Sequence, residues 1–199
     1  MVRLVLIRPG ATDFDDQRRI KGCLDVPLNE NGVKQAQQAA ASIGEIALDA
    51  IYSSPCQSAM ETAEILARAK KLRVQSIAGL KNVNHGLWHG KLIDEVRQHQ
   101  PKVYRQFQEH PEACCPPDGE SIADAELRVR MAIEKLLKKH KKGGTVALVV
   151  GEPLASLVKH CLLQSEIGDL WEHECDHGEV ETLDYNPAAA ENPAASMAG

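Results

Sequence analysis

Apolar positions along this chain follow two periods. Val2 to Ile7 is apolar except at Arg3 and reads as a strand buried on both faces, and Thr145 to Val150 repeats the pattern. Elsewhere the period lengthens. Val33, Ala36, Ala39, Ala40 and Ile43 recur at helical spacing from a start near Asn31, and Ala59, Ala63, Ile65 and Leu66 do so over about 56–69. A long amphipathic helix opens at Glu120-Ser121 and runs to about His140 through Ile122, Ala125, Val129, Ala132, Ile133 and Leu136. Leu154 to Leu163 is a further helix. Shorter strands are read at Ala50 to Tyr52 and Arg73 to Ile77, and Glu179 to Tyr185 alternates like a terminal strand. The polar stretch 11–29 reads as a loop, Gly86 and Gly90 mark another, and 91–112 reads as helical and polar.

Strands alternating with helices predict a three-layer αβα sandwich around a largely parallel sheet, with a small helical insertion at about 91–118. Residues 1–185 form the expected single domain. Residues 186–199 carry two Asn-Pro-Ala-Ala repeats without apolar periodicity and read as a disordered Ala/Pro tail. Ligands of such sheets sit beyond the carboxyl ends of the strands. The loops at Arg8 and Gly151 follow the two most apolar strands, so they are expected to face one crevice.

Composition narrows the function. The chain has 199 residues, a net charge of −5 and only 4% aromatic residues, with no basic stripe interleaved with aromatics, which argues against nucleic acid as a partner. The N-terminal apolar run is too short for a signal segment, and no stretch approaches the ~20 apolar residues of a membrane span. A cytoplasmic protein is expected. Cys23, Cys56, Cys114, Cys115, Cys161 and Cys175 form no C-x-x-C pair and no zinc module, and read as reduced thiols.

Several phrases recur in a telling order. Arg8-Pro9-Gly10 ends the first strand. Gly22 is followed by Asp25-Val26-Pro27-Leu28, Gly32 and Gln35-Ala36. Tyr52-Ser53-Ser54-Pro55 precedes Glu61-Thr62-Ala63-Glu64-Ile65-Leu66, then come Gly86, Trp88 and Gly90, and finally Pro117 with Gly119-Glu120-Ser121. Over roughly residues 2–185 the chain resembles the histidine phosphatase (phosphoglycerate mutase-like) superfamily. The resemblance implies a particular chemistry. A neutral imidazole attacks phosphorus, two arginines and a second histidine hold the phosphoryl oxygens, and a glutamic acid protonates the leaving oxygen.

Matched slot by slot, Arg8, Gly10 and Thr12 are retained. The nucleophile slot holds Pro9, the second arginine slot Ser58, the general-acid slot Asn82 and the second histidine slot Gly151. Asp15 stands in a phosphate-contacting Asn slot, and Glu152 replaces a small Gly. The implied ligand pocket is Arg8, Gly10, Thr12, Asp15, Gly22, Ser58, Asn82, Gly151 and Glu152. With four core slots altered, the expectation is a catalytically inactive family member with a binding or regulatory role. The alternative is a phosphatase or mutase-type enzyme on small phosphate esters with altered chemistry. Asp15 and Glu152 oppose a phosphate dianion, and Arg8 is open to two readings: it binds an anion, or it pairs with Asp15 or Glu152.

Other side chains offer replacement groups. His85 and His89 lie near Asn82 as a relocated nucleophile or acid, against an aromatic slot and a solvent-facing slot. Cys56 opens a helix, which favours a thiolate, but lacks the glycine-rich cradle of cysteine phosphatases. His173, Glu174, Cys175, Asp176 and His177 have metal-binding chemistry without a standard zinc spacing. Ser58 and Thr12 offer hydroxyls without an evident His–Asp pair. No catalytic residue, cofactor or metal is assigned. A small anion near Arg8, a protein partner and a homodimer are the expected associations.

Overall fold

The computed structural model describes residues 1–167 and 177–185. The sheet is built from β1 (Val2–Ile7), β2 (Ala50–Ser53), β3 (Val74–Ser76), β4 (Gly144–Val149) and β5 (Val180–Tyr185), in the order β3-β2-β4-β1-β5. Three of the four pairings are parallel. β5 alone runs antiparallel, against β1, from Val2↔Tyr185 to Ile7↔Val180. β1 and β4 are adjacent, with Val2 opposite Gly144 and Ile7 opposite Val149. The segments after both strands therefore leave the same end of the sheet.

Alternating side chains divide the core in two. Leu4, Leu6, Tyr52, Val146 and Leu148 face one layer, which holds α6 (Ile122–Lys139) and α7 (Leu154–Leu163). Val5, Ile7, Ile51, Ala147 and Val149 face the other, which holds α2 (Glu30–Ile43) and α3 (Gln57–Lys70). That is the period-two signature of a sheet buried on both faces. On the second face Ala39, Ala59, Ala63 and Ala67 are buried beside Ile43 and Leu66, so small residues bring α2 and α3 close to the strands. Each fully buried Leu or Ile here contributes roughly 1.5–3 kcal/mol.

Helix ends follow local chemistry. The Asn29 side chain accepts from Gly32 N at 2.8 Å at the start of α2, and Gly44 ends it at φ 47°. The Ser121 hydroxyl accepts from Asp124 N at 3.1 Å at the start of α6. One expectation needed revision. The polar loop 11–29 contains a short helix, α1 (Asp13–Asp16), held by reciprocal contacts of Thr12 and Asp15 rather than by an apolar stripe. The stretch 91–112 is helical, as its polar pattern predicts, in two parts. It breaks at Gln100 into α4 (Ile93–His99) and α5 (Pro101–Glu109), because Pro101 is pre-set for a helix start and lacks the N–H needed to continue one.

This helical pair shares the main core. Phe107 packs 5.6 Å from the ring of Trp88, and Trp88 Nε1 donates to Gln100 Oε1 at 3.1 Å. Positions 168–176, including Cys175 and four of the five residues of the His173–His177 cluster, and the tail 186–199 lie outside the described residues. No helix among the described residues is long and apolar enough to cross a membrane.

Candidate functional site

The chain leaves β1 through Arg8-Pro9-Gly10 and stays paired with the residues that lead into β5. Arg8 N donates to Glu179 O at 2.9 Å, and Pro9 O accepts from Gly178 N at 3.1 Å. Gly10 N donates to the Thr62 hydroxyl at 3.1 Å. A side chain at Gly10 has no room, since a Cβ there would stand 2.1 Å from Gly32 O. The loop after β4 opens at Gly151, beside the Pro9 ring. A Cβ at Gly151 would meet Pro9 carbons at 3.8 Å and Asn82 Nδ2 at 3.5 Å, ordinary contacts. The crevice expected at the ends of β1 and β4 is thus present.

Arg8, Pro9, Asp15, Gly22, Ser58, Asn82, Gly151 and Glu152 all border one cavity, whose volume of about 30 Å³ suits one or two waters. Two predicted pocket residues do not border it. Gly10 is pressed against Gly32, and Thr12 is fully buried with its hydroxyl donating to Asp15 Oδ2 at 2.7 Å. Both shape the loop behind the cavity wall, which also removes Thr12 as a candidate nucleophile.

Charge in the cavity is paired internally. Arg8 Nε donates to Glu152 Oε1 at 2.7 Å, with both side chains 4% exposed, and Nη1 donates to Glu179 Oε2 at 2.6 Å. Glu181 stands 4.0 Å from Nη1 and is itself 3.0 Å from Lys159. The second oxygen of Glu152 accepts from Ser156 N at 3.1 Å and its hydroxyl at 2.8 Å, in the first turn of α7. Asn82 completes the link: Nδ2 donates to Glu152 O at 2.7 Å, while Oδ1 accepts from Val83 N at 2.9 Å. Of the two pairings considered for Arg8, Glu152 is the one formed.

Asp15 is the correction. Its carboxylate accepts from Lys21 Nζ at 2.7 and 2.9 Å, from Thr12 N and Oγ at 2.7 Å each, and faces His177 Nε2 at 3.9 Å. Burial pushes the carboxyl up, but Lys21, His177 and the Thr12 hydroxyl outweigh it and hold it below the usual carboxylate range. Asp15 is thereby neutralised by Lys21 rather than opposed to Arg8. Sequence reasoning missed Lys21 and Ser54 at the cavity, and Glu179 and Glu181 beside Arg8. It weighed His177 only as a metal ligand. The two glutamates carry no local signal; they reach Arg8 because β5 lies antiparallel against β1.

The replacement groups sort by burial. His85 is 1% exposed and packs against His89 and Phe107, with ring centroids 6.1 and 6.0 Å away. Burial, then the neighbouring His89, lowers its pKa to about 3. It does not border the cavity, so it is a core histidine and not a relocated nucleophile. His89 is half-buried rather than solvent-facing. Its Nε2 accepts from His85 N at 3.2 Å and lies 3.7 Å from Cys23 Sγ. Gly22, at φ 50°, packs where a Cβ would meet these two rings at 2.6 and 2.8 Å, so Gly is needed there for both conformation and space. Cys56 caps α3, borders the cavity and is buried. The five described cysteines are free thiols. Among the described residues no three His, Cys, Asp or Glu side chains are grouped to hold a metal ion.

Fold and cavity together define an αβα domain with a polar site at the carboxyl ends of its parallel strands. The chain belongs to the histidine phosphatase superfamily (branch 1), which matches residues 4–192. It is 32% identical to phosphoserine phosphatase 1 of Hydrogenobacter thermophilus over 184 residues, 92% of this chain and 86% of the relative. Bacillus stearothermophilus YhfR superposes with a TM-score of 0.84 at 26% identity, covering 94% of this chain and 93% of that one. A phosphoserine phosphatase of Entamoeba histolytica, solved with 3-phosphoglyceric acid, gives a TM-score of 0.79 at 28% identity, over 92% and 90% of the two chains.

Proposed function

We propose that this chain is a histidine phosphatase superfamily member that does not carry out phosphohistidine chemistry and serves instead in binding or regulation, with a small ligand or a protein as its partner. The observation that carries this reading is Pro9 at the cavity wall beside Arg8, in the position that the family resemblance gives to the nucleophile. Proline has no side-chain nucleophile, and a phosphoryl acceptor must stand in line with phosphorus at near-attack distance. The neighbouring groups support it. Ser58 and Asn82 are uncharged where an arginine and a proton donor are expected, and the one arginine retained from the family set, Arg8, already faces two carboxylates.

The comparisons favour a second reading, in which the chain acts on small phosphate esters. Two of the similar proteins are named as phosphoserine phosphatases. On that reading the work falls to polar groups that do border the cavity: Lys21, Asp15, His177 and Ser58.

One assay separates the two. Purified protein is incubated with p-nitrophenyl phosphate, phosphoserine and 3-phosphoglycerate, alongside Arg8→Ala and His177→Ala. The first reading expects phosphate release at background in all three proteins. Turnover in the unmodified chain that falls in either variant overturns it in favour of the second.

A further inference from the structure

We infer that Glu152 is an internal ligand of Arg8, a carboxylate standing where an oxyanion would bind, and that it closes this cavity to phosphate dianions. The inference deepens the first reading above and rests on it. An arginine recognises oxyanions through its rigid fork of N–H groups. Here Nε is engaged by Glu152 and Nη1 by Glu179. The Glu152 carboxylate is seated rather than incidental. It is almost fully buried, its other oxygen takes two hydrogen bonds from Ser156, and its own backbone carbonyl is held by Asn82. A carboxylate on an exposed chain could swing away from an arriving anion; this one is fixed at three points.

The electrostatic consequence is one-sided. A dianion approaching Arg8 must either displace a buried carboxylate from its partner or sit beside it. Like charges at close range in a poorly solvated site repel strongly. Glu179 adds a second negative charge from the open side, its side chain 56% exposed. Exposure makes Glu179 the weaker barrier, since it can turn into water, so Glu152 is the residue that decides. Lys21, a further cation of the cavity, is held by the Asp15 carboxylate, which takes two hydrogen bonds from its Nζ and sets its own negative charge beside any anion that approaches there.

The test is binding rather than turnover. Inorganic phosphate and orthovanadate are titrated into the unmodified chain, Glu152→Ala, Glu152→Gln and Arg8→Met/Glu152→Ala, followed by thermal unfolding and calorimetry. Glu152→Gln guards against a fold defect, since its amide oxygen can still accept from Ser156. The expected result is no shift for the unmodified chain and a ligand-dependent rise in Tm for the single Glu152 variants. Their apparent affinity should exceed that of the unmodified chain by more than about tenfold, and the double variant should lose the gain. Equal binding by the unmodified chain, or no binding by either single variant, overturns the inference. Turnover of a phosphate ester by the unmodified chain overturns the underlying reading separately, whatever the titrations give.

Discussion

Arg8 Nε and Glu152 Oε1 stand 2.7 Å apart, joining the ends of two neighbouring parallel strands through a pair of side chains that are each 4% exposed. Two charges so placed gain little over well-packed apolar groups, but removing one leaves the other buried with less than it needs. Glu152→Ala and Arg8→Ala are each expected to lower unfolding free energy by about 3 kcal/mol. Arg8→Ala/Glu152→Ala should lose clearly less than the sum of the single losses. Urea unfolding of the cycle measures this, and additive losses would show that the contact contributes nothing of its own.

Acid stability should be governed first by His85. Burial lowers its pKa to about 3, while the unfolded chain titrates it near the ordinary imidazole value of about 6.5. Below that value the unfolded state takes up a proton that the folded state refuses, so stability falls as pH falls. The slope should approach about 1.4 kcal/mol per pH unit between pH 6 and pH 4. His89 is lowered as well, by burial and then by Lys81, and acts in the same direction. His85→Leu should flatten the profile over that window. An unchanged slope in urea unfolding across that pH range would exclude His85 as its source.

Asp15 works in a lower range. Its pKa is depressed in the folded state, so its contribution is complete above the ordinary carboxylate range and is lost as pH falls through the folded value. Lys21→Met removes the main cause of the depression and leaves a buried carboxylate. The variant should be less stable at neutral pH by about 1–3 kcal/mol, and the difference from the unmodified chain should shrink toward pH 3. A loss that is constant with pH would mean that Lys21 contributes packing rather than charge.

How much of this was legible beforehand depends on the range of the signal. β1 and α7 have the residues read from apolar periodicity alone, since their patterns are dense and local. α1 escaped because its signal is the Thr12–Asp15 contact, and the boundary between α4 and α5 at Pro101 is finer than a helical, polar reading of 91–112 resolves. At the site, Arg8, Pro9, Asn82, Gly151 and Glu152 could be brought together because they sit at the ends of elements in a recognisable order. Asp15 was left as one of two possible partners of Arg8 because its actual partner, Lys21, lies in a loop with no periodic pattern. Glu179 and Glu181 required the antiparallel placement of β5, which no local sequence feature encodes.

Gly10 and Gly32 make a backbone-to-backbone contact that no other residue permits. A Cβ on Gly10 would approach Gly32 O to 2.1 Å, and a Cβ on Gly32 would approach Ala11 O to 2.0 Å. Neither neighbour is a flexible side chain, so the loop after β1 or the first turn of α2 would have to move. Gly10→Ala and Gly32→Ala should each destabilise by about 3 kcal/mol, the upper end for overpacking. Because Pro9 and Arg8 precede the contact, hydrogen exchange at Arg8 N, which donates to Glu179 O, should also rise. Stability within experimental error of the unmodified chain would show that the loop absorbs the methyl group.

Restoring the nucleophile alone should not restore catalysis. On the proposed reading, Pro9→His supplies an imidazole beside an arginine that Glu152 still holds, with no second cation at Ser58 and no proton donor at Asn82. Phosphate release from p-nitrophenyl phosphate should stay at background. The combined change Pro9→His, Ser58→Arg, Asn82→Glu, Gly151→His and Glu152→Gly removes the buried carboxylate from Arg8 Nε and supplies each missing role. At Gly151 a Cβ makes only ordinary contacts, so the backbone there accepts a side chain. Turnover at least about a hundredfold above Pro9→His is expected, the scale of one positioned acid or base. Single-turnover assays should then trap a phosphoenzyme that is acid-labile and absent from the unmodified chain. If Pro9→His by itself matched the combined variant, the remaining replacements would be compatible with catalysis, and the cavity would be one residue from an enzyme rather than altered on several sides.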